Sequence, residues 1–380
     1  MSTKAADVVV IGAGIVGAAC AWEFAREGMS VTLIDSGAPG GGATAAGMGH
    51  VAVMDDSEPQ FALTRYSQQL WREIVDELPD DCEYETCGTL WIAADDEELA
   101  EVRRKQQAYT RRGIDAEVLD AAALARAEPN LRSGLAGALR VPGDLVVFPP
   151  CVARWLIAGA TECGAQVRLG TAAVEISDRG VRLADDSLLP AGAIINATGH
   201  GAERLTPGLS LQPRKGHLAI TDRYPGFIHH ELIELGYLKS AAAVGTDSAA
   251  MNVQPRITGQ MLIGSSRQTG QESTDVDMAI LGRMLRRAME YLPALARVST
   301  IRTWTGFRAA TADKLPLIGR CSSGQRSSQG RLYLATGHEG LGITMAPGTA
   351  RLLVDAVMGR ESAIPPEPYL PARLEKGDSA

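Results

Sequence analysis

The sequence predicts an α/β protein, one unit wound on a parallel sheet, with a second unit built on an antiparallel sheet (α+β) inserted into it. Three observations predict this. The stretch from Asp7 to Asp35 reads as strand, glycine-rich turn, helix and strand. Two later stretches, one ending in Asn196, Ala197, Thr198 and Gly199 and one running through Gly337, Gly340 and Gly342, repeat the order of buried strand and glycine turn. Between them, over 212–264, the pattern changes to short alternating segments separated by turns, as expected of antiparallel strands.

In the first stretch, Val8 to Ile11 form an apolar, β-branched run that reads as a buried parallel strand. Gly12, Gly14 and Gly17 follow in G-x-G-x-x-G spacing. Gly12 allows the tight turn, Gly14 bares the backbone to a pyrophosphate, and Gly17 lets helix and strand pack closely. The helix carries Cys20 and Phe24, and Gly28 ends it. Its N-terminus offers free N–H groups and a positive dipole end to phosphates. The next strand, Val31 to Ile34, delivers Asp35, 18 residues after Gly17, where a carboxylate accepts hydrogen bonds from a ribose 2′-OH. Strand, helix and acid together make a Rossmann-like fingerprint; an ordinary βαβ turn is the bland alternative.

At 380 residues, two domains are expected, and 45% hydrophobic residues suffice for a sizeable core. A net charge of −8 argues against nucleic acid as a partner, though not against a local positive pocket. Six cysteines include no C-x-x-C and no cysteine–histidine zinc spacing, so no metal is expected and reduced thiols in a cytoplasmic protein are. Six residues precede the first strand, so no signal peptide is expected. The run Val8 to Ala21 is glycine-broken and too short to span a bilayer; a peripheral contact at the inner membrane stays compatible.

After Asp35 the chain enters a glycine- and alanine-rich loop too poor in large side chains for a core element. Such a loop can lie flat on a planar ligand; a flexible linker is the alternative. His50 closes it and is a candidate catalytic residue beside the ligand. Residues 57–78 put Phe61, Leu63, Leu70, Trp71 and Ile74 mostly on one helical face, and Pro79 stops that helix. Residues 88–94 read as a strand, 95–112 as a solvated helix with acids early and bases late, and 119–128 as a short helix. A helix over 151–163 precedes strands at 166–169, 172–176, 181–183 and 193–196. Thr198 and Gly199 then lie at the carboxyl end of a parallel sheet, where α/β proteins bind ligands.

In the inserted unit, strands are expected at 217–221, 236–239, 251–256 and 261–264. A helix over 274–292 follows, with Met278, Leu281, Leu285 and Met289 as its core stripe. Residues 304–320 read as a segment rich in turn formers that holds Arg308. Strand 331–335 leads through the glycine loop at 337–342 into a helix over 346–358, a second helix start able to anchor a ligand. The proline-rich end, 365–371, reads as extended surface.

These stations together resemble the D-amino-acid oxidase family of flavoproteins, which includes glycine oxidase, sarcosine oxidase and the D-amino-acid and D-hydroxyproline dehydrogenases. The matching stretches are VVVIGAGIVGAA…LID, AAGMG, NATG, GFRAATADKLPLIG and ATGHEGLGITMAPGTARLL, spread over essentially the whole chain. The resemblance implies an FAD-binding domain at 1–85, 145–212 and 304–365, a substrate domain at 86–144 and 213–303, and a tail at 366–380. It implies that Gly12, Gly14, Ile15, Val16, Gly17, Asp35 and Ser36 hold the ADP half of FAD, and that Thr44, Ala45, Gly47 and Met48 run along the flavin side. Val174 would meet the adenine through its backbone, and Thr198 and Gly199 would support the pyrophosphate region. Gly337, His338, Gly340, Leu341, Gly342, Ile343 and Thr344 would close over the flavin pyrimidine edge and ribityl chain. Arg308 matches the arginine of the family's G-x-R-P segment, which pairs with the substrate carboxylate; Ala309 replaces the proline. Tyr237, in the inserted sheet, would add a phenol to that carboxylate. No cysteine lies between Gly306 and Gly319, where sarcosine oxidases tether their flavin, so noncovalent FAD is expected. His217 follows Gly216, where relatives often have glutamine.

The implied reaction is oxidation of the Cα–N bond of a small amino acid by hydride transfer to flavin N5. An arginine fork matches a planar carboxylate. A neutral substrate amine needs no strong base, and no Ser/His/Asp or paired-carboxylate site stands out, so positioning supplies most of the rate. The segments GMGHVAVMDD and GHEGLGIT look most like dehydrogenases of D-amino or secondary amino acids such as D-proline or cis-4-hydroxy-D-proline. A glycine or sarcosine oxidase using O2 is the nearest alternative. Rivals from other classes are a flavin subunit inactive without its partners and a NAD-dependent dehydrogenase; the loop at 40–49 and the later glycine stations favour FAD over NAD. The electron acceptor is O2, a quinone or a partner subunit, and homo- and hetero-oligomers are both compatible.

Overall fold

The computed structural model describes residues 5–236, 247–321 and 330–375. Its first sheet has six strands, in the order Leu317–Arg320, Leu332–Thr336, Ala191–Asn196, Ala6–Ile11, Val31–Asp35 and Gln166–Leu169. Neighbours run parallel except the first pair. The central strand feeds two cores. Val8 and Val10 pack with Leu33 and the helix Ile15–Arg26; Val9 and Ile11 pack with Ile34 and with Ile176, Val181 and Leu189 of a small three-stranded sheet. A strand covered on both faces needs apolar residues at every position, which is why this run shows no alternation. On the helical face, Ile15–Arg26 packs against both Gly342–Met358 and Pro149–Glu162.

The second sheet has eight strands, in the order Thr300–Ala310, Gln212–Thr221, Met261–Thr269, Ser248–Pro255, Glu231–Glu234, Thr89–Ala93, Gly137–Val141 and Glu117–Asp120. It is antiparallel except where Glu231–Glu234 meets Thr89–Ala93. The helix Met278–Tyr291 covers one face, packing Leu281, Met284 and Ala288 against Leu90, Leu232, Val253 and Ile263. Asp277 starts this helix by accepting the N–H groups of Ala279 and Ile280, four residues later than the apolar pattern suggests. Met278 therefore sits in the first turn and is 72% exposed, and Met284 takes the central core position.

Three sequence expectations change. A strand not expected from the sequence lies at Glu231–Glu234, while the strand expected at 236–239 falls, from residue 237 on, outside the described residues. The turn-like composition around Arg308 belongs to an edge strand of 11 residues, Thr300–Ala310, paired along its length with Gln212–Thr221. Its glycine and alanines are small because other chain segments lie close on it. Residues 304–310 consequently belong to the second sheet, not to the first unit. Third, the last long helix begins at Gly342, within the glycine loop, and contains Pro347. A proline leaves the carbonyl four residues earlier without its helical partner. Trp71 Nε1 donates to that carbonyl, Ile343 O, at 3.2 Å, and to Thr344 O at 3.0 Å. No two of the six cysteines form a disulfide, and among the described residues no helix is long and apolar enough to cross a membrane.

Candidate functional site

Both sheets line a cavity of about 740 Å³, a size typical of cofactor sites. At its first-sheet end, Gly12 has φ +109°, and a Cβ there would lie 2.5 Å from Ala197 O. A Cβ at Gly17 would overlap the Gly12 carbonyl oxygen. Turn, helix and neighbouring strand thus close together only on glycine. Gly14 begins the helix without a side-chain cap, and the Ile15 N–H donates to Thr44 Oγ1 at 3.0 Å. The Asp35 carboxylate accepts from Ala13 N and Gly37 N, each at 2.6 Å, so backbone amides aim it at the helix start. Thr198 Oγ1 donates to Asn196 Oδ1 at 2.7 Å, and Thr336 Oγ1 to Gly199 O at 2.8 Å, tying the two later glycine stations together.

At the second-sheet end, Gly216 and Gly306 face each other across the strand pair. A Cβ at Gly306 would overlap Ala46 Cβ, so glycine lets the short helix Ala43–Ala46 lie on the sheet. Trp304 Nε1 donates to Ala46 O at 3.3 Å. A Cβ at Gly216 would lie 2.7 Å from Arg308 Nη1, and that nitrogen donates to Ser266 O at 2.9 Å. The guanidinium is thereby laid on bare backbone at the cavity wall.

Of the residues singled out from sequence, Gly12, Gly14, Ile15, Val16, Asp35, Ser36, Thr44, Gly47, Met48, His50, Thr198, Gly199, Arg308, Gly337, His338, Gly340, Gly342 and Ile343 line this cavity. Gly17 lies behind the turn, Ala45 is exposed and Leu341 packs on the first core. Thr344 is buried and donates to His50 O at 3.1 Å. Val174 is 41% exposed, and the lining there comes from Thr171, Ala172 and Ala173 instead. Tyr237 lies outside the described residues.

Sequence reasoning missed Gly216, Gly306 and Glu339. Glu339 has φ +50°, accepts from Arg214 Nη1 at 2.9 Å and faces Arg267 Nε at 3.6 Å. Burial pushes its carboxyl up, but Arg267, Arg308 and Arg214 together outweigh that and hold it below the usual carboxylate range. His217 gains an explanation too. Its Nε2 accepts the Asp277 N–H at 3.0 Å and its Nδ1 donates to Ser266 Oγ at 2.9 Å, so the imidazole joins the strand to the start of Met278–Tyr291.

A buried polar group lies behind His50. Its Nε2 is 2.9 Å from Thr89 Oγ1, which donates to Asp144 Oδ2 at 2.7 Å; its Nδ1 is 3.1 Å from Glu231 Oε1. Burial pushes His50 down to about 3 and Asp144 up to about 7, and burial with the neighbouring Asp144 charge puts Glu231 well above its ordinary range. The expectation that the chain lacks a paired-carboxylate site is therefore corrected. The pair is assembled from distant segments: Thr89 lies beside Glu231 in the sheet, and His50 pairs with Val146, just after Asp144.

A helix start that faces the cavity, a carboxylate beyond it, a floor made of glycines and a wall bearing a guanidinium fit FAD. The family model for FAD dependent oxidoreductases (DAO) matches residues 7–356. The chain is 31% identical to a glycine oxidase of Pseudomonas aeruginosa, over 96% of this chain and 98% of that protein. The solved glycine oxidase of Geobacillus kaustophilus is similar at 26% identity and TM-score 0.84, covering 97% of this chain and 98% of that one. The fold alone is shared with an L-proline dehydrogenase of P. horikoshii, at 23% identity and TM-score 0.87, covering 98% and 99%. The chain belongs to the DAO family of FAD-dependent oxidoreductases, and FAD is the cofactor of this enzyme.

Proposed function

We propose that the enzyme oxidises a small amino acid at its Cα–N bond, with a D-amino or secondary amino acid such as D-proline or cis-4-hydroxy-D-proline as the favoured class. The position of Arg308 carries this reading. Its guanidinium lines the FAD cavity over Gly216, with Gly340 beside it, so no side chain at those two positions screens it from a ligand. A guanidinium binds a carboxylate as a bidentate fork. When bound, FAD supplies the hydride acceptor. The chain supplies the rest. Gly12, Gly14 and the start of Ile15–Arg26 hold phosphates, and Asp35 takes the ribose. Arg308 fixes the substrate carboxylate, which limits how its Cα–H can point. Thr44 to Met48, laid on Gly306, keep one wall of the cavity closed. Positioning of this kind can contribute many powers of ten in rate without a strong base. FAD is held noncovalently in this scheme.

The named glycine oxidase relatives favour a second reading, in which glycine or sarcosine is the substrate and O2 the acceptor. Anaerobic bleaching of the bound flavin by D-proline, cis-4-hydroxy-D-proline, D-alanine, glycine, sarcosine and their L-forms separates the two. Bleaching by D-proline types supports the first reading, and readmitted O2 then distinguishes oxidase from dehydrogenase. A visibly bound flavin that none of these bleaches sinks both, and restored turnover with co-expressed partners would identify a flavin subunit.

A further inference from the structure

The buried groups behind His50 do more than hold a wall. Glu231, Thr89 and Asp144 are each 0–1% exposed, while His50 lines the cavity. Donor counting places their protons. Thr89 has one hydroxyl proton and gives it to Asp144 Oδ2. His50 Nε2 must then donate to the Thr89 oxygen, which leaves Nδ1 as a lone pair facing Glu231. Neither Glu231 oxygen has an aligned hydrogen-bond partner. Burial and the neighbouring Asp144 charge outweigh the Asn252 side chain, which favours the anion, so Glu231 carries a proton and Asp144 carries the charge. Gln68 supports that charge by donating to Oδ1 at 2.9 Å, with Arg72 Nη2 2.9 Å behind it on Gln68 Oε1. The reversed chain uses the same atoms. Asp144 donates to Thr89, Thr89 to Nε2, and Nδ1 to Glu231. Both arrangements hold one proton for two carboxyls and one net negative charge.

We propose that Glu231, His50, Thr89 and Asp144 form a proton relay in the cavity wall that takes up one proton when FAD is reduced and releases it when FAD is reoxidised. The inference rests on FAD as cofactor and on its two-electron reduction, not on the substrate's identity. In that reduction a hydride leaves the substrate C–H with both bond electrons; the substrate becomes one charge more positive, and the cavity keeps one negative charge once that cationic product leaves. The relay's carboxylate takes a proton from solvent and forms one O–H bond, so the wall passes from one negative charge to none. No electron passes through the relay. Reoxidation removes the cavity charge and the proton leaves. Other ionisable groups facing the relay are Arg72 through Gln68, Cys87 beside Glu231, and Tyr109 with Asp55 near Asp144. Burial pushes the Cys87 thiol and the Tyr109 phenol up, so both stay neutral where a buried carboxyl near 7 titrates.

The test is a mediated electrochemical titration of the holoenzyme at several values between about pH 6 and 8, read from flavin absorbance. One additional proton per two electrons steepens the midpoint potential by about 30 mV per pH unit. Wild type and Thr89→Ser, which keeps the hydroxyl, are expected to share the steep slope; Thr89→Val is expected to be shallower by that amount. Equal slopes in Thr89→Val and wild type overturn the relay, as does a Thr89→Ser slope as shallow as that of Thr89→Val. If Thr89→Val fails to hold FAD, Glu231→Gln and Asp144→Asn must each flatten the slope, and unchanged slopes there overturn it. Because the reduction is electrochemical, a flavin that no amino acid bleaches would refute the proposed reaction and leave this measurement readable.

Discussion

Replacing Gly216 by alanine should separate the guanidinium from the cofactor seat. Gly216 and Gly306 face each other across one strand pair, yet a methyl group at each meets a different neighbour. At 216 it would lie 2.7 Å from Arg308 Nη1 and 3.0 Å from Cζ. That is the far end of a flexible side chain, so the fold survives and the guanidinium swings off the wall, losing its bond to Ser266 O. At 306 the methyl would overlap Ala46 Cβ, on the short helix that holds Thr44 and leads to Met48. There the backbone must move, and FAD should be lost. A hydrogen bond to a charged group contributes about 1.5–3 kcal/mol, so Gly216→Ala should lower kcat/KM by roughly 10- to 150-fold, mainly through KM. The assay is steady-state turnover of the amino acid that bleaches the flavin, with FAD content read from the flavin-to-protein absorbance ratio. Wild-type kcat/KM in Gly216→Ala would show that Arg308 does not hold the carboxylate from this position. Loss of FAD from Gly216→Ala, rather than from Gly306→Ala, would place the cofactor against the wrong glycine.

Three further outcomes are expected. Gly17→Ala puts a methyl onto the Gly12 carbonyl oxygen; overpacking of this kind costs about 1–3 kcal/mol, so calorimetry should show a lowered melting temperature and the purified protein should be short of FAD. Asp35→Asn keeps the shape but presents an amide to two backbone N–H donors, Ala13 and Gly37; FAD affinity, followed by fluorescence of released cofactor, should fall roughly 10- to 100-fold. Asp144 gives a pH dependence. Burial raises it to about 7, from an ordinary value near 4, so between those limits the folded state binds more protons than the unfolded one. Its contribution is full below about pH 4 and is lost as the pH rises through about 7, up to about 4 kcal/mol. The urea midpoint of wild type should therefore fall relative to that of Asp144→Asn over this window, and parallel curves would refute the assignment.

The glycine-turn end of the candidate site was legible because its constraints are local. Gly12, Gly14 and Gly17 answer contacts made within one turn and one helix, and Asp35 closes the same βαβ unit. The other end answers contacts between distant segments. Gly306, Ala309 and Ala310 looked like turn formers because small residues mark both turns and closely covered strands. Only the register with Gln212–Thr221 and the overlying Ala46 separates those meanings. Thr171, Ala172 and Ala173 line the cavity ahead of Val174, and a lining of such small residues carries no periodic signal. His50 stood out alone, while Thr89, Asp144 and Glu231 resembled ordinary strand and turn residues until the parallel pair set Thr89 beside Glu231.

That last group also tests what a buried carboxyl pair is for. Apolar residues of similar volume hold a wall as well as a buried ionisable cluster and without its desolvation cost. If Asp144 and Glu231 were only structural, Asp144→Asn should leave the potential slope at its wild-type value, whatever it does to stability. If the pair is retained for proton uptake, the same variant should gain stability on wild type as the pH rises from about 4 through about 7, yet show a flattened potential slope. Stability and slope moving in opposite directions would mean that the fold tolerates this cluster for the sake of the flavin beside it. An unchanged slope would reduce it to a tie between the His50 segment and the second sheet.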